Sequence, residues 1–160
     1  MGRMTALKGN YETIIFSLDS TDESDNTFPN TTYRSRIFDS SYGSSEGETF
    51  TILPLEEEMV RSAFKKIMGR EKWDVNQIKQ LGNWLFSKLL GGPKNRNIYN
   101  KVLAKSSATG SLLRLCLYIC NDKLLNLPWE YIHDGKTFLV HESRSSLVRV
   151  QDVNQPRKAF

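Results

Sequence analysis

Cysteine and histidine are scarce in this chain, two of each in 160 residues. So small a set excludes a disulfide framework. A metal site built from Cys116, Cys120, His133 and His141 would need more ligands than their spacing offers. Cys116 and Cys120 stand four apart in a strand-like run, which puts them on one side roughly 13 Å apart at about 3.3 Å per residue. A disulfide needs Cα atoms within about 7 Å. The expectation is therefore two buried thiols in a reducing compartment.

Long apolar runs are also missing. None approaches the roughly 20 residues that cross a bilayer. The start, Met1-Gly2-Arg3-Met4-Thr5-Ala6, lacks an apolar signal stretch, and Ala6 stands where a myristoylation signal has Ser or Thr. Asn30-Thr31-Thr32 spells a glycosylation acceptor, but without a secretion signal it carries no weight. These features predict a soluble, cytoplasmic protein with no membrane partner, and no motif asks for a cofactor.

What is present suffices for a core. Hydrophobic residues make up 39% of the chain, with 3 Trp, 6 Tyr and 8 Phe, so global disorder is excluded. The net charge of +4 hides an asymmetry: −7 over residues 1–58, +9 over 61–105 and +2 over 106–160. The +9 segment offers a candidate basic surface that includes Lys65, Lys66, Arg70, Lys79 and Lys88. No base-reading motif accompanies it, so the solvated outer face of amphipathic helices is the favoured reading and nucleic acid an unfavoured partner.

Periodicity gives an α/β chain with antiparallel strands first. Tyr11 to Leu18, Tyr33 to Phe38 and Glu48 to Leu53 are β-branched, aromatic or alternating and read as strands. Pro54 opens a helix with Glu56, Glu57 and Glu58 in its first turn. Its apolar stripe runs from Met59 to Met68, and Gly69 stops it. A second helix starts at Asp74, with Gln77 as a capping-box partner, and ends at Gly91-Gly92-Pro93. A third covers Asn97 to Lys105. Leu112 to Cys120 is apolar except for Arg114, as in a strand buried on both faces. Trp129 to His133 and Thr137 to His141 flank Asp134-Gly135, a hairpin signal. Ser146 to Val150 is a last strand. The divisions are a leader (1–10), strands with polar loops (11–53), a helical layer with a strand and hairpin (54–150), and a polar end (151–160).

The stretch 112–150 resembles the beginning of the CHAT family, caspase-like cysteine peptidases often found with TPR repeats. The resemblance rests on an ordered set. It comprises the apolar strand Leu113 to Ile119, then Leu124-Leu125, then Leu127-Pro128-Trp129-Glu130, then Phe138-Leu139-Val140 and Leu147-Val148-Arg149. Upstream, Leu81-Gly82-Asn83-Trp84-Leu85-Phe86 is similar to the Gly-x-x-Leu-Phe helix that precedes the strand in such proteins. The resemblance implies the start of a caspase-like α/β sandwich. It also implies a Cys nucleophile and a His base elsewhere, in a His-x-x-Gly-His-Gly-like segment and a downstream small-residue context. Neither segment occurs in these 160 residues, so no catalytic residue is assigned here. A thiol inside a buried strand is usually inert.

The residues themselves give the Leu-Pro-Trp-Glu motif a structural task. Pro128 fixes φ at a chain reversal, Trp129 anchors the turn on the core, and Glu130 is placed to accept from backbone or from Arg149. The partners implied are the catalytic remainder of a CHAT protease, a TPR-containing regulator and a protein substrate. A stand-alone interaction module that recruits a chain by strand addition is the alternative.

Overall fold

The computed structural model describes residues 10–21, 32–69, 72, 74–140 and 145–151. Five strands form one mixed sheet, β1 (Tyr11–Ser20), β2 (Thr32–Asp39), β3 (Glu48–Thr51), β4 (Leu112–Ile119) and β5 (Ser145–Gln151). Their spatial order is β3-β2-β1-β4-β5. Strands β1, β2 and β3 pair antiparallel, while β4 runs parallel to both β1 and β5. The early strands and β4 are therefore one sheet, with β1 joining the antiparallel half to the parallel half. Antiparallel neighbours need only short turns, whereas a parallel neighbour needs a crossover. Here the crossover is a three-helix stretch, α1 (Pro54–Met68), α2 (Val75–Leu90) and α3 (Pro93–Thr109).

Local chemistry sets the helix ends. Pro54 sits in the first turn of α1, and Glu56 reaches back to the Leu53 amide at 2.8 Å. The Asp74 side chain caps α2 by accepting from the Asn76 N–H at 2.9 Å. Gln77 does not complete a capping box. It accepts from Lys66 Nζ at 2.9 Å instead, tying α1 to α2. Pro93, expected to close α2, opens α3, because proline's missing N–H is harmless at the first helical position. That lengthens α3 at both ends, from Pro93 to Thr109 rather than Asn97 to Lys105. Gly110 ends it in the left-handed region at φ 67°, a conformation glycine adopts without strain.

All the helices contribute to one core on one face of the sheet. Ile14, Phe16 and Leu18 of β1 meet Leu113, Leu115, Leu117 and Ile119 of β4, together with Leu81, Leu85, Leu89, Tyr99 and Val102 from the helices. Here the expectation for β4 is corrected. It is buried on one face only, since its alternate residues Arg114 and Cys116 are half-buried and Tyr118 is 40% exposed. The three helices follow one another in a single crossover and pack on one side. The thiols share the correction: Cys116 is half-buried and Cys120 exposed.

The hairpin expected around Asp134-Gly135 is reduced to a single antiparallel bridge, His133 to Phe138. Trp129–Tyr131 is a short 3₁₀ turn. Asp134 Oδ1 takes the Lys136 and Thr137 amides, each at 2.8 Å, which closes the chain after one pair instead of extending a ladder. His141 lies outside the described residues. No described helix is long and apolar enough to cross a membrane.

Candidate functional site

The Leu-Pro-Trp-Glu motif lies between β4 and β5 and is built in steps from the end of β4. Asn121 caps a one-turn helix α4 (Asp122–Leu125), its Oδ1 accepting from Lys123 N at 3.0 Å and Leu124 N at 3.2 Å. The chain then reaches Leu127 and Pro128, both buried, and turns into Trp129. Trp129 is fully buried and its indole N–H donates to the Leu124 carbonyl at 2.7 Å. A large apolar ring with a satisfied N–H pins the turn to the core without a polar penalty.

Glu130 points outward and pairs with Arg149 of β5. The same guanidinium donates to the Leu125 carbonyl at 3.0 Å. One arginine thus ties α4, the 3₁₀ turn and β5 together. Both side chains are partly solvated, 50% exposed for Glu130 and 31% for Arg149, so the pair fixes geometry more than it adds stability, about 1 kcal/mol at most.

The motif's second support is α2. Gly82 lies against the turn so closely that a Cβ there would stand 2.2 Å from the Tyr131 carbonyl oxygen and 2.6 Å from His133 Cβ. The His133 amide donates to the Gly82 carbonyl at 3.1 Å. The imidazole of His133 is buried, its Nδ1 lies 2.8 Å from Asn83 Oδ1, and the Gly135 N–H donates to that Nδ1 at 3.0 Å. Nδ1 donates to Asn83 Oδ1 in one tautomer and accepts from the Gly135 N–H in the other. Nε2 is enclosed and has no hydrogen-bond partner. The ring also packs edge-on against Phe138. This histidine is part of the scaffold, and a general base needs a nitrogen within reach of substrate.

Cys116 is separated from His133 by the sheet. It lies on the sheet face opposite the described helices, while His133 docks on α2 across the core. Partial burial pushes the Cys116 thiol up, against a smaller opposite pull from Arg114. That is the direction away from a nucleophilic thiolate. Among the described residues, no group of three or more His, Cys, Asp and Glu stands together as a metal site would require.

The expected basic surface is dispersed. Lys65 and Lys79 are exposed, on α1 and α2. Lys66 is spent on Gln77. Lys88 leaves the set altogether, because it turns inward, donating to the Thr51 carbonyl at 3.0 Å and to Glu56 at 3.1 Å. Its ammonium stands 5.6 Å from the Trp84 ring centroid and 6.0 Å from that of Phe50. Arg70 lies outside the described residues. Sequence reasoning missed the buried Asn95, whose Nδ2 donates to the Ser35 carbonyl at 2.9 Å and whose Oδ1 accepts from Ser45 at 2.8 Å. It also missed the Glu12–Lys105 pair that ties β1 to α3.

No family model, no curated protein and no solved structure matches this chain.

Proposed function

We propose that this chain is the N-terminal, non-catalytic portion of a CHAT-type caspase-like cysteine protease acting in bacterial regulated proteolysis or defence. The observation that supports the reading is the way Gly82 of α2 seats the Leu-Pro-Trp-Glu turn. Two segments set out in the order of the family motif are brought together, with Gly82 of the first lying against Tyr131 and His133 just beyond Leu127 to Glu130, where any added Cβ would force the turn to shift. The turn in turn positions β4 and β5, parallel strands on which further sheet can be built. In the whole enzyme, a cysteine thiolate supplied by other polypeptide attacks a peptide carbonyl, with a histidine transferring the proton. The present residues hold the sheet and contribute a wall of the cleft.

The test is peptide hydrolysis by the purified chain over a mixed peptide library. The reading expects no turnover. Turnover that disappears in Cys116→Ser or Cys120→Ser would overturn it.

A further inference from the structure

The sheet face opposite the helices has a distinct chemistry. The registers Ile15–Cys116, Cys116–Val148 and Tyr118–Val150 put an apolar band across three parallel strands, with the buried Ser17 beside Tyr118. Tyr118 is 40% and Val148 41% exposed. Strands in parallel ladders are ordinarily covered on both faces. Here every described helix packs on the other side.

Charge surrounds the band unequally. Arg34 and Arg36 lie on this face of β2, opposite Asp19 and Ser17 of β1. Arg114 lies on this face of β4, stacked on Tyr11 with its guanidinium carbon 3.8 Å from the ring centroid. None of the three arginines has an ion pair among the described residues. Arg36 Nε is shielded from water and has no hydrogen-bond partner. A cleft of about 580 Å³ opens beside Arg34 and Arg36, also lined by Glu46, Glu48 and Thr49. Glu48 is committed to the Lys94 amide at 3.3 Å, so among the described residues Glu46 is the carboxylate of the cleft with no such partner. Three unpaired guanidiniums around an apolar band complement a partner with the reverse charge.

We infer that this face docks an acidic amphipathic helix, its apolar stripe on Ile15, Cys116, Tyr118 and Val148 and its carboxylates on Arg34, Arg36 and Arg114. The dimensions agree. Four strands at about 4.8 Å spacing give a floor roughly 14 Å wide, and a helix with side chains is about 10–12 Å across. An eight-residue strand of roughly 26 Å matches about 17 helical residues at 1.5 Å each. The inference stands on this face alone and does not depend on the protease reading.

The probe is a synthetic helical peptide of about 18 residues, with leucines at i, i+3 and i+4 spacing and glutamates on both flanks. Fluorescence anisotropy measures its binding to the full chain against the same peptide with lysine flanks. The glutamate peptide binds at least about tenfold more tightly, and its affinity falls as salt rises from about 0.05 to 0.5 M. The triple variant R34E/R36E/R114E inverts the preference, with circular dichroism checking its fold. If that variant does not fold, the salt dependence on the native chain decides by itself. Maleimide labelling of Cys116, followed by peptide mass mapping, slows when the glutamate peptide is bound. Equal affinity for the two peptides, no binding, or unchanged Cys116 labelling at saturation overturns the inference. So does a dimer in sedimentation equilibrium that protects Cys116 without peptide, which would make a second copy the occupant.

Discussion

Replacing Gly82 with alanine is the sharpest perturbation of the turn, because two principles disagree about its sign. In an exposed helix interior the change stabilises by about 1 kcal/mol, since alanine is the best helix former and glycine among the worst. In α2 the added methyl would stand 2.2 Å from the Tyr131 carbonyl oxygen and 3.0 Å from the His133 amide nitrogen. Both atoms are backbone and cannot swing aside, so the 3₁₀ turn must lift from the helix. Overpacking of this kind costs typically about 1–3 kcal/mol. Lifting the turn also stretches the bond from His133 N to the Gly82 carbonyl, 3.1 Å in the native chain, worth about 1 kcal/mol. Set against the propensity gain, the balance is a loss of about 2 kcal/mol, or roughly 4–8 °C in Tm for a chain of this size. Urea unfolding followed by tryptophan fluorescence measures it, since Trp129 is fully buried in the turn concerned. Alanine at the exposed Asn97 of α3 serves as control and shifts stability by about 0.5 kcal/mol or less. A Gly82→Ala chain as stable as the native one, or more so, would refute the docking argument.

Three further outcomes follow from the same contacts. Arg149→Met loses the Glu130 pair and the bond to the Leu125 carbonyl, so it destabilises by about 1 kcal/mol in urea melts, whereas Glu130→Gln costs less because the carbonyl bond survives. Partial burial pushes the Glu56 carboxyl up, but the Leu53 amide and the Lys88 ammonium outweigh it and hold the group below the usual carboxylate range. Its stabilising contribution is therefore complete above the unfolded value of about 4.3 and is lost as pH falls through the lower folded value. Glu56→Gln flattens the acid limb of the stability curve, and a limb unchanged from the native chain would contradict the pairing. With maleimide at neutral pH, exposed Cys120 is labelled before half-buried Cys116, whose thiol burial pushes up; peptide mass mapping reads the order.

Legibility in the sequence tracked the range of the interaction. Local signals carried well: Pro54 and Asp74 mark helix starts and Gly69 a helix end through their own local chemistry. The β-branched and aromatic runs placed β1 and β2 within two residues at each end. Pro93 misled because one residue type suits either side of a helix break. The start of α3 was hidden for another reason: its first inward residue is Asn95, a polar group buried only because Ser35, Ser45 and the Leu89 carbonyl complete its hydrogen bonds. Periodicity of apolar residues cannot report that. The apolar richness of β4 suggested burial on both faces, yet Leu112, Cys116 and Tyr118 face outward. Composition shows what a face is suited to cover, not whether a layer of this chain reaches it. The site was half legible. The Trp129 anchor and the Glu130–Arg149 pair follow from residue types in the motif, while the Gly82 contact joins segments 50 residues apart and needs the fold to be seen.

The account's central claim is that these residues belong to a protease whose cutting groups they do not contain. The most direct measurement is the intact mass of the native polypeptide carrying them, purified from its source after treatment with a peptidyl electrophile that alkylates active-site cysteines. The account predicts that the label falls on a cysteine other than Cys116 and Cys120, either in a longer polypeptide containing this sequence or in a chain bound to it one to one. A native species of 18.4 kDa with no labelled partner would contradict it.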